Sequence, residues 1–227
     1  MLLGIALLTS CELDNYDSPE SSLFGALIDR ETGDTIQSDI YDGTRIALLE
    51  LDEKYENPQK QYLVIKTDGT YRNNFMFDGL YSMLSIKDGN FQPSDSTSIT
   101  IKGNTKADIE VLPYIRIKDP VIAIDGMKLT ATFKLEQTMP DSIKIMYANV
   151  FAHTEPTVGK PHRLDDKELY INTAAVPGQE YTIAWDISKS RVLKKNIAYF
   201  FRIGAIINVP GAKYNYSAAI RLTPVKL

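Results

Sequence analysis

The 227-residue chain has a single cysteine, Cys11, and only two histidines, His153 and His162. One cysteine excludes an internal disulfide and a zinc site built on cysteines, and two histidines leave little for a metal centre or for histidine-dependent catalysis. Excess charge of one sign is missing too. Twenty-five Lys and Arg against 29 Asp and Glu leave a formal net charge of −4, so the chain has no basic footprint and no nucleic-acid partner is expected. No apolar run reaches the roughly 18 residues that a spanning helix needs. From Leu23 onward, long stretches of helical periodicity are absent as well. What remains is a globular composition, 44% hydrophobic and 24% charged, with length enough for two domains of about 100 residues.

The start of the chain reads as an address. Residues 2–8 are apolar and uncharged, like the central region of a secretion signal. Leu8-Thr9-Ser10-Cys11 follows at once and resembles a bacterial lipobox. The resemblance implies cleavage before Cys11 and acylation of that residue, giving a signal peptide over 1–10 and a membrane partner reached through a lipid anchor. Several acyl chains hold stably where one does not. Residues 11–21 are polar and acidic and read as a flexible tether. The acidic stretch also resembles the export signal of Bacteroidota surface lipoproteins, although its composition suits an ordinary solvated linker equally well.

The rest of the chain is expected to be all-β. Short runs rich in Ile, Val, Tyr, Phe and Thr predict strands over 24–29, 45–51, 62–66, 71–77, 81–87, 98–101 and 107–117, then over 128–135, 143–151, 181–186, 198–207 and 216–223. Gly33, Gly43, Gly69, Gly79 and Gly89, four of them directly after an Asp and Gly33 just before one, are expected to supply positive φ in the intervening turns. Pro120 predicts a boundary between Ile117 and Pro120, hence two β-sandwich domains in tandem over 22–118 and 119–227.

Three motifs order the first half. Phe24 to Asp29 is followed by Thr32-Gly33, then Thr67-Asp68-Gly69-Thr70-Tyr71, then Gly79-Leu80-Tyr81; this arrangement resembles the carboxypeptidase-regulatory-like, or transthyretin-like, domain. The polar segment 51–60 reads as an insertion into it. In the second half, residues 199–205 resemble the penultimate strand of a fibronectin type III domain, with Tyr199 placed for the corner hydrogen bond of immunoglobulin-like sandwiches. Together with the lipobox, these features resemble a family of two-domain Bacteroidota lipoproteins. That resemblance implies a role beside outer-membrane glycan-import complexes of the starch-utilisation type.

Chemistry is sparse. His153 and His162, with Glu155, Asp165, Asp166 and Glu168 nearby, match no metal-ligand spacing and read as a solvated loop. Asp52 with Glu53, and Asp165 with Asp166, read as solvated faces, because a glycosidase holds its carboxyl groups about 5–10 Å apart across a sugar. Asp119 and Asp125 are the acids that would share a calcium ion at the domain junction, with turn formation as the competing role. No catalytic residue, metal or cofactor is expected. Recognition by surface aromatics remains, since a sugar stacks its C–H face on an aromatic ring while polar neighbours bond its hydroxyls. Lys213, Tyr214, Asn215 and Tyr216 interleave these types at the last hairpin, and the competing expectation packs Tyr216 inward. Trp185 alternates with Ile183 and Tyr181 and is expected in the core. The expected function is a non-catalytic, lipid-anchored surface protein accessory to glycan capture at an outer-membrane transporter complex. The alternative is a structural or docking lipoprotein, which predicts an apolar patch or an open sheet edge.

Overall fold

The computed structural model describes residues 18–51, 57–85 and 89–225, with the side chains of Leu84 and Ser85 left aside. Cys11, Asp52 and Glu53 lie outside the described residues. The described residues form sixteen strands: β1 Ser21–Asp29, β2 Arg45–Glu50, β3 Gln61–Val64, β4 Thr70–Met76, β5 Gly79–Ser85, β6 Thr97–Ile101, β7 Asn104–Lys106, β8 Ile109–Val111, β9 Ile115–Asp125, β10 Lys128–Gln137, β11 Ile145–His153, β12 Asp165–Thr173, β13 Glu180–Asp186, β14 Tyr199–Ile207, β15 Asn215–Tyr216 and β16 Ile220–Leu222. Among the described residues the only helical element is a 3-10 turn at Ile187–Lys189.

The first domain packs the sheet β4-β1-β7, extended by β8 beside β1, against β3-β2-β5-β6. Leu23, Leu27, Leu48, Tyr71, Tyr81 and Ile101 fill the space between them. The stretch expected as one strand over 107–117 instead holds β8, which like the preceding β7 runs parallel to β1, and then the start of β9. Of the five glycines expected at positive φ, Gly33 (76°) and Gly69 (82°) adopt it. Gly43, Gly79 and Gly89 do not; a Cβ on Gly43 would lie 1.9 Å from Asp39 O, so close approach is the constraint there.

The second domain packs the three-stranded sheet β13-β10-β9 against the five-stranded sheet β12-β11-β14-β15, in which β16 also pairs with β14. Alternation drives this packing. In β13, Tyr181, Ile183 and Trp185 point inward while Thr182 and Ala184 face out, and Trp185 meets Phe201 edge to face. Trp185 is thus core, as expected. Tyr199 also takes its expected place, its hydroxyl accepting the Lys194 N–H at 2.8 Å.

β9 runs unbroken through Pro120, so the domains meet at 112–114 and not at 117–120. The proline is tolerated because Asp119 turns to φ 50° and the register with β10 shifts between Thr132 and Lys134, a bulge that needs no N–H from residue 120. Asp119 is ion-paired with Lys134 at 2.8 Å. Five residues of strand separate it from Asp125, about 20 Å over six steps at the usual rise, so the two acids do not share a calcium ion.

Candidate functional site: the outer face of the five-stranded sheet

The outward side chains of this sheet form a continuous surface. Its inner face buries Ile145, Ala148, Val150 and Ala152 of β11 and Phe201, Ile203 and Ala205 of β14, so Tyr147, Asn149 and Phe151 of β11 and Arg202 and Gly204 of β14 face the other way. Register places Tyr170 of β12 beside Tyr147, Glu168 beside Asn149, and Asp166 beside Phe151. At Gly204 a Cβ would come within 2.8–3.0 Å of the rings of Phe151, Tyr216 and Tyr214. The missing side chain lets three aromatic residues close over the sheet.

One half of this face is covered by the first domain. Arg202 is 1% exposed and donates to the carbonyls of Ser217 (2.8 Å), Ser38 (2.9 Å), Thr67 (2.9 Å) and Val158 (3.3 Å), with its guanidinium 4.3 Å from the centroid of the Tyr216 ring. Burial lowers its pKa to about 10, with Tyr216 and Asp39 acting in the opposite direction. The Tyr216 hydroxyl donates to Asp39 Oδ2 at 3.2 Å and accepts the Lys160 N–H at 3.0 Å. Asn215 donates to Asn90 O and accepts the Ile115 N–H, while Lys213 reaches Gly89 O through its backbone and Asp42 through its side chain.

The expected ligand loop is therefore the clasp of the domain junction. Tyr214, Asn215 and Tyr216 are all buried, and Lys213 is ion-paired across the junction. A sugar has no open ring to stack on there. Strands β15 and β14 draw the loop down onto the sheet, and two separate connections of the first domain, one carrying Asp39 and the other Gly89, close over it. A second clasp is Arg116, 9% exposed, which grips Asp29 with Nε (2.5 Å) and Nη2 (3.0 Å) and also bonds Glu31 and Glu136. Burial works to raise the Asp29 pKa, but the bonds from Arg116 and from the Glu31 N–H outweigh it and hold the carboxyl below its ordinary value.

The other half of the face is open. Tyr170 is 61% exposed, and its ring centroid lies 5.5 Å from that of Tyr147 at an interplanar angle of 51°. The exposed Glu168 flanks the pair along β12. Beneath it, buried Asn149 donates to Asp166 Oδ2 at 2.8 Å and accepts the Tyr214 hydroxyl at 3.2 Å, and Arg163 bonds Asp166 at 2.5 Å. Burial, with Glu168 and Asp166 nearby, pushes the Tyr214 hydroxyl up to about 12. It stays protonated and keeps donating to Asn149. An open aromatic pair rimmed by a carboxylate and braced from below is suited to stacking a flat, hydroxylated ligand.

Sequence reasoning missed this pair. β12, Asp-Asp-Lys-Glu-Leu-Tyr-Ile-Asn-Thr, is too polar to stand out as a strand, so nothing brought Tyr170 beside Tyr147. The same omission hid the approach of the histidines. The β11–β12 connection brings ligand atoms of His153, Glu155 and His162 within 4.8 Å of one another, the one such group among the described residues. His162 Nε2 bonds Glu155 Oε2 at 3.0 Å, His153 Nδ1 accepts the Glu155 N–H at 3.0 Å, and Tyr41 of the first domain packs on His162. With Nδ1 accepting, the neutral ring of His153 carries its proton on Nε2 and offers no free lone pair to a metal. Burial and the neighbouring His162 lower the His153 pKa, with Glu155 opposing. Asp165 and Asp166 diverge, the first bonding Ser190 and the second facing Asn149. A cleft of about 510 Å³ in the first domain is lined by Ile46, Met83, Asp95, Asp108 and Glu110, among others, with no aromatic wall among the described residues.

Two family models cover most of the chain: "Protein of unknown function (DUF3823) N-terminal domain" over residues 21–112 and "Domain of unknown function (DUF3823_C)" over residues 115–221. No curated protein matches it. Among solved structures, a "putative carbohydrate binding protein" from Bacteroides uniformis is 30% identical, with 90% of this chain and 99% of that one covered and a TM-score of 0.81. A DUF3823 family protein from Parabacteroides merdae is 23% identical (91% and 100% covered, TM-score 0.78), and one from Bacteroides ovatus is 21% identical (90% and 99% covered, TM-score 0.75). These two share the fold. With both halves matched in order and a 30% identical relative spanned almost end to end, the chain belongs to the two-domain DUF3823 family.

Proposed function

We propose that this protein is a non-catalytic, lipid-anchored surface protein that binds glycan on the open half of its five-stranded sheet and serves a glycan-import complex of the outer membrane. The observation that carries the binding role is the pair of exposed Tyr170 and half-buried Tyr147, with Glu168 at its rim. The Bacteroides uniformis relative described as carbohydrate binding supports the ligand class. The lipobox at Cys11 supports the anchor. In this reading the two domains keep the transthyretin-like and fibronectin-like identities that their motifs suggest.

A glycan array probed with the full chain and with Tyr170→Ala tests the site. Loss of one stacking ring is expected to weaken binding about tenfold, near 1.4 kcal/mol. Equal binding by both proteins would remove the site from this face. The docking reading has one feature in its favour, the open edge at β3, where Tyr62 and Val64 are 54% and 44% exposed. A glycan-silent chain that captures an outer-membrane transporter, and loses it on Tyr62→Glu, would favour docking instead.

A further inference from the structure

The end of the first domain opposite the junction carries an apolar surface of its own. β1 runs from Ser21 to Asp29, and Asp29 is locked to Arg116 at the junction, so Ser21 stands about 26 Å away along the strand. Register brings other turns to this pole. Ser21 is opposite Met76, Ser22 is opposite Asn104 and Gly79 is opposite Ile101, while the Asp78 carboxylate joins Ser21 Oγ to the Gly103 N–H. Four large apolar side chains face water here: Phe75 (75% exposed), Leu80 (45%), Phe77 (42%) and Leu51 (40%). The Leu51 N–H bonds Leu80 O, tying the two leucines together. Met76 is buried, and strand alternation therefore turns its two phenylalanine neighbours outward. Apolar residues scattered singly over a surface need no explanation, but a phenylalanine this exposed, beside a second one and two leucines, does.

The chain also enters at this pole. Nine residues separate Cys11 from Ser21, a reach of at most about 35 Å even when fully extended. A lipid on Cys11 would thus hold this end of the molecule nearest the bilayer. Exposed Lys102, on the turn beside Gly103, adds a cation at the same end.

We propose that this pole rests on the lipid surface to which the chain is anchored, with Phe75 and Phe77 seated among the headgroups. The inference relies on the lipid anchor of the proposed function. Two rings bind a membrane weakly when free in solution, but a short tether raises their local concentration enough for a weak contact to persist. Seated this way, the first domain stands on the membrane and the second projects beyond it.

The test uses full-length lipoprotein reconstituted into vesicles of brominated phosphatidylcholine, carrying Phe75→Trp or, as control, Val121→Trp, a 57% exposed position in the second domain. Trp185 in the core supplies a constant background. Strong quenching of Phe75→Trp with no quenching of Val121→Trp is the expected result. Vesicle-bound protein with neither tryptophan quenched overturns the seating and leaves the anchor standing. Protein that does not stay with the vesicles removes the anchor, and the seating falls with it.

Discussion

Arg202 and Arg116 solve one problem in two ways. Arg116 is charge-matched, with Asp29, Glu31 and Glu136 around it, whereas Arg202 is held by neutral carbonyls and the face of Tyr216. A buried carbonyl left without its donor costs about 1–3 kcal/mol, because it stays desolvated and unpaired. Arg202→Met should therefore lower stability by about 3 kcal/mol, measurable by urea denaturation, since the carbonyls of Ser217, Ser38 and Val158 lose this donor while Thr67 O keeps the Ser38 N–H. The Asp29 pair makes a pH prediction. Its carboxyl titrates below the ordinary 3.8 in the folded chain, so the unfolded chain takes up protons first as pH falls. The stabilisation is present above that ordinary value and is lost as pH drops through the lowered one. Thermal melts of the wild type should fall below about pH 4, and Asp29→Asn should flatten this dependence while melting lower at neutral pH.

At the scale of elements, strands with an apolar inner face were legible and a largely charged edge strand was not. β10, β11, β13 and β14 each turn an apolar face to the core, and their positions follow from pattern alone. β12 is an edge strand with charged residues on much of its length, and the pairing that defines it comes from β11 and not from its own composition. That single omission concealed both the Tyr147–Tyr170 pair and the approach of His153 to His162. The hairpin residues 213–216 were misjudged for a related reason. Alternation of Lys, Tyr and Asn has the same appearance on a ligand-binding loop and on a loop that another domain covers, and only the tertiary fold distinguishes them. Tyr199 lay within reach of sequence, because the corner bond depends on a residue a few positions upstream; Tyr199→Phe should cost about 1 kcal/mol in chemical denaturation and leave glycan binding unchanged.

On the scale of the whole molecule, the junction is a third apolar cluster of Phe151, Val158, Tyr214 and Tyr216 lying between the cores of the two domains. Buried polar groups from both domains cross it. Such an interface joins the domains into one cooperative unit, so calorimetry should show a single transition for the wild type and two for Arg202→Met. A rigid pair fixes the direction of the open face. Tyr170 belongs to the domain remote from the pole at which β1 starts, and the clasp that buries Tyr214 and Tyr216 prevents that face from swinging inward. The tyrosines of one surface thus divide between two roles, and the array separates them when Tyr214→Phe accompanies Tyr170→Ala. Under this division Tyr170→Ala is expected to lose glycan while keeping its melting temperature, and Tyr214→Phe to keep glycan with somewhat lower stability. Glycan lost on Tyr214→Phe and retained on Tyr170→Ala would contradict it.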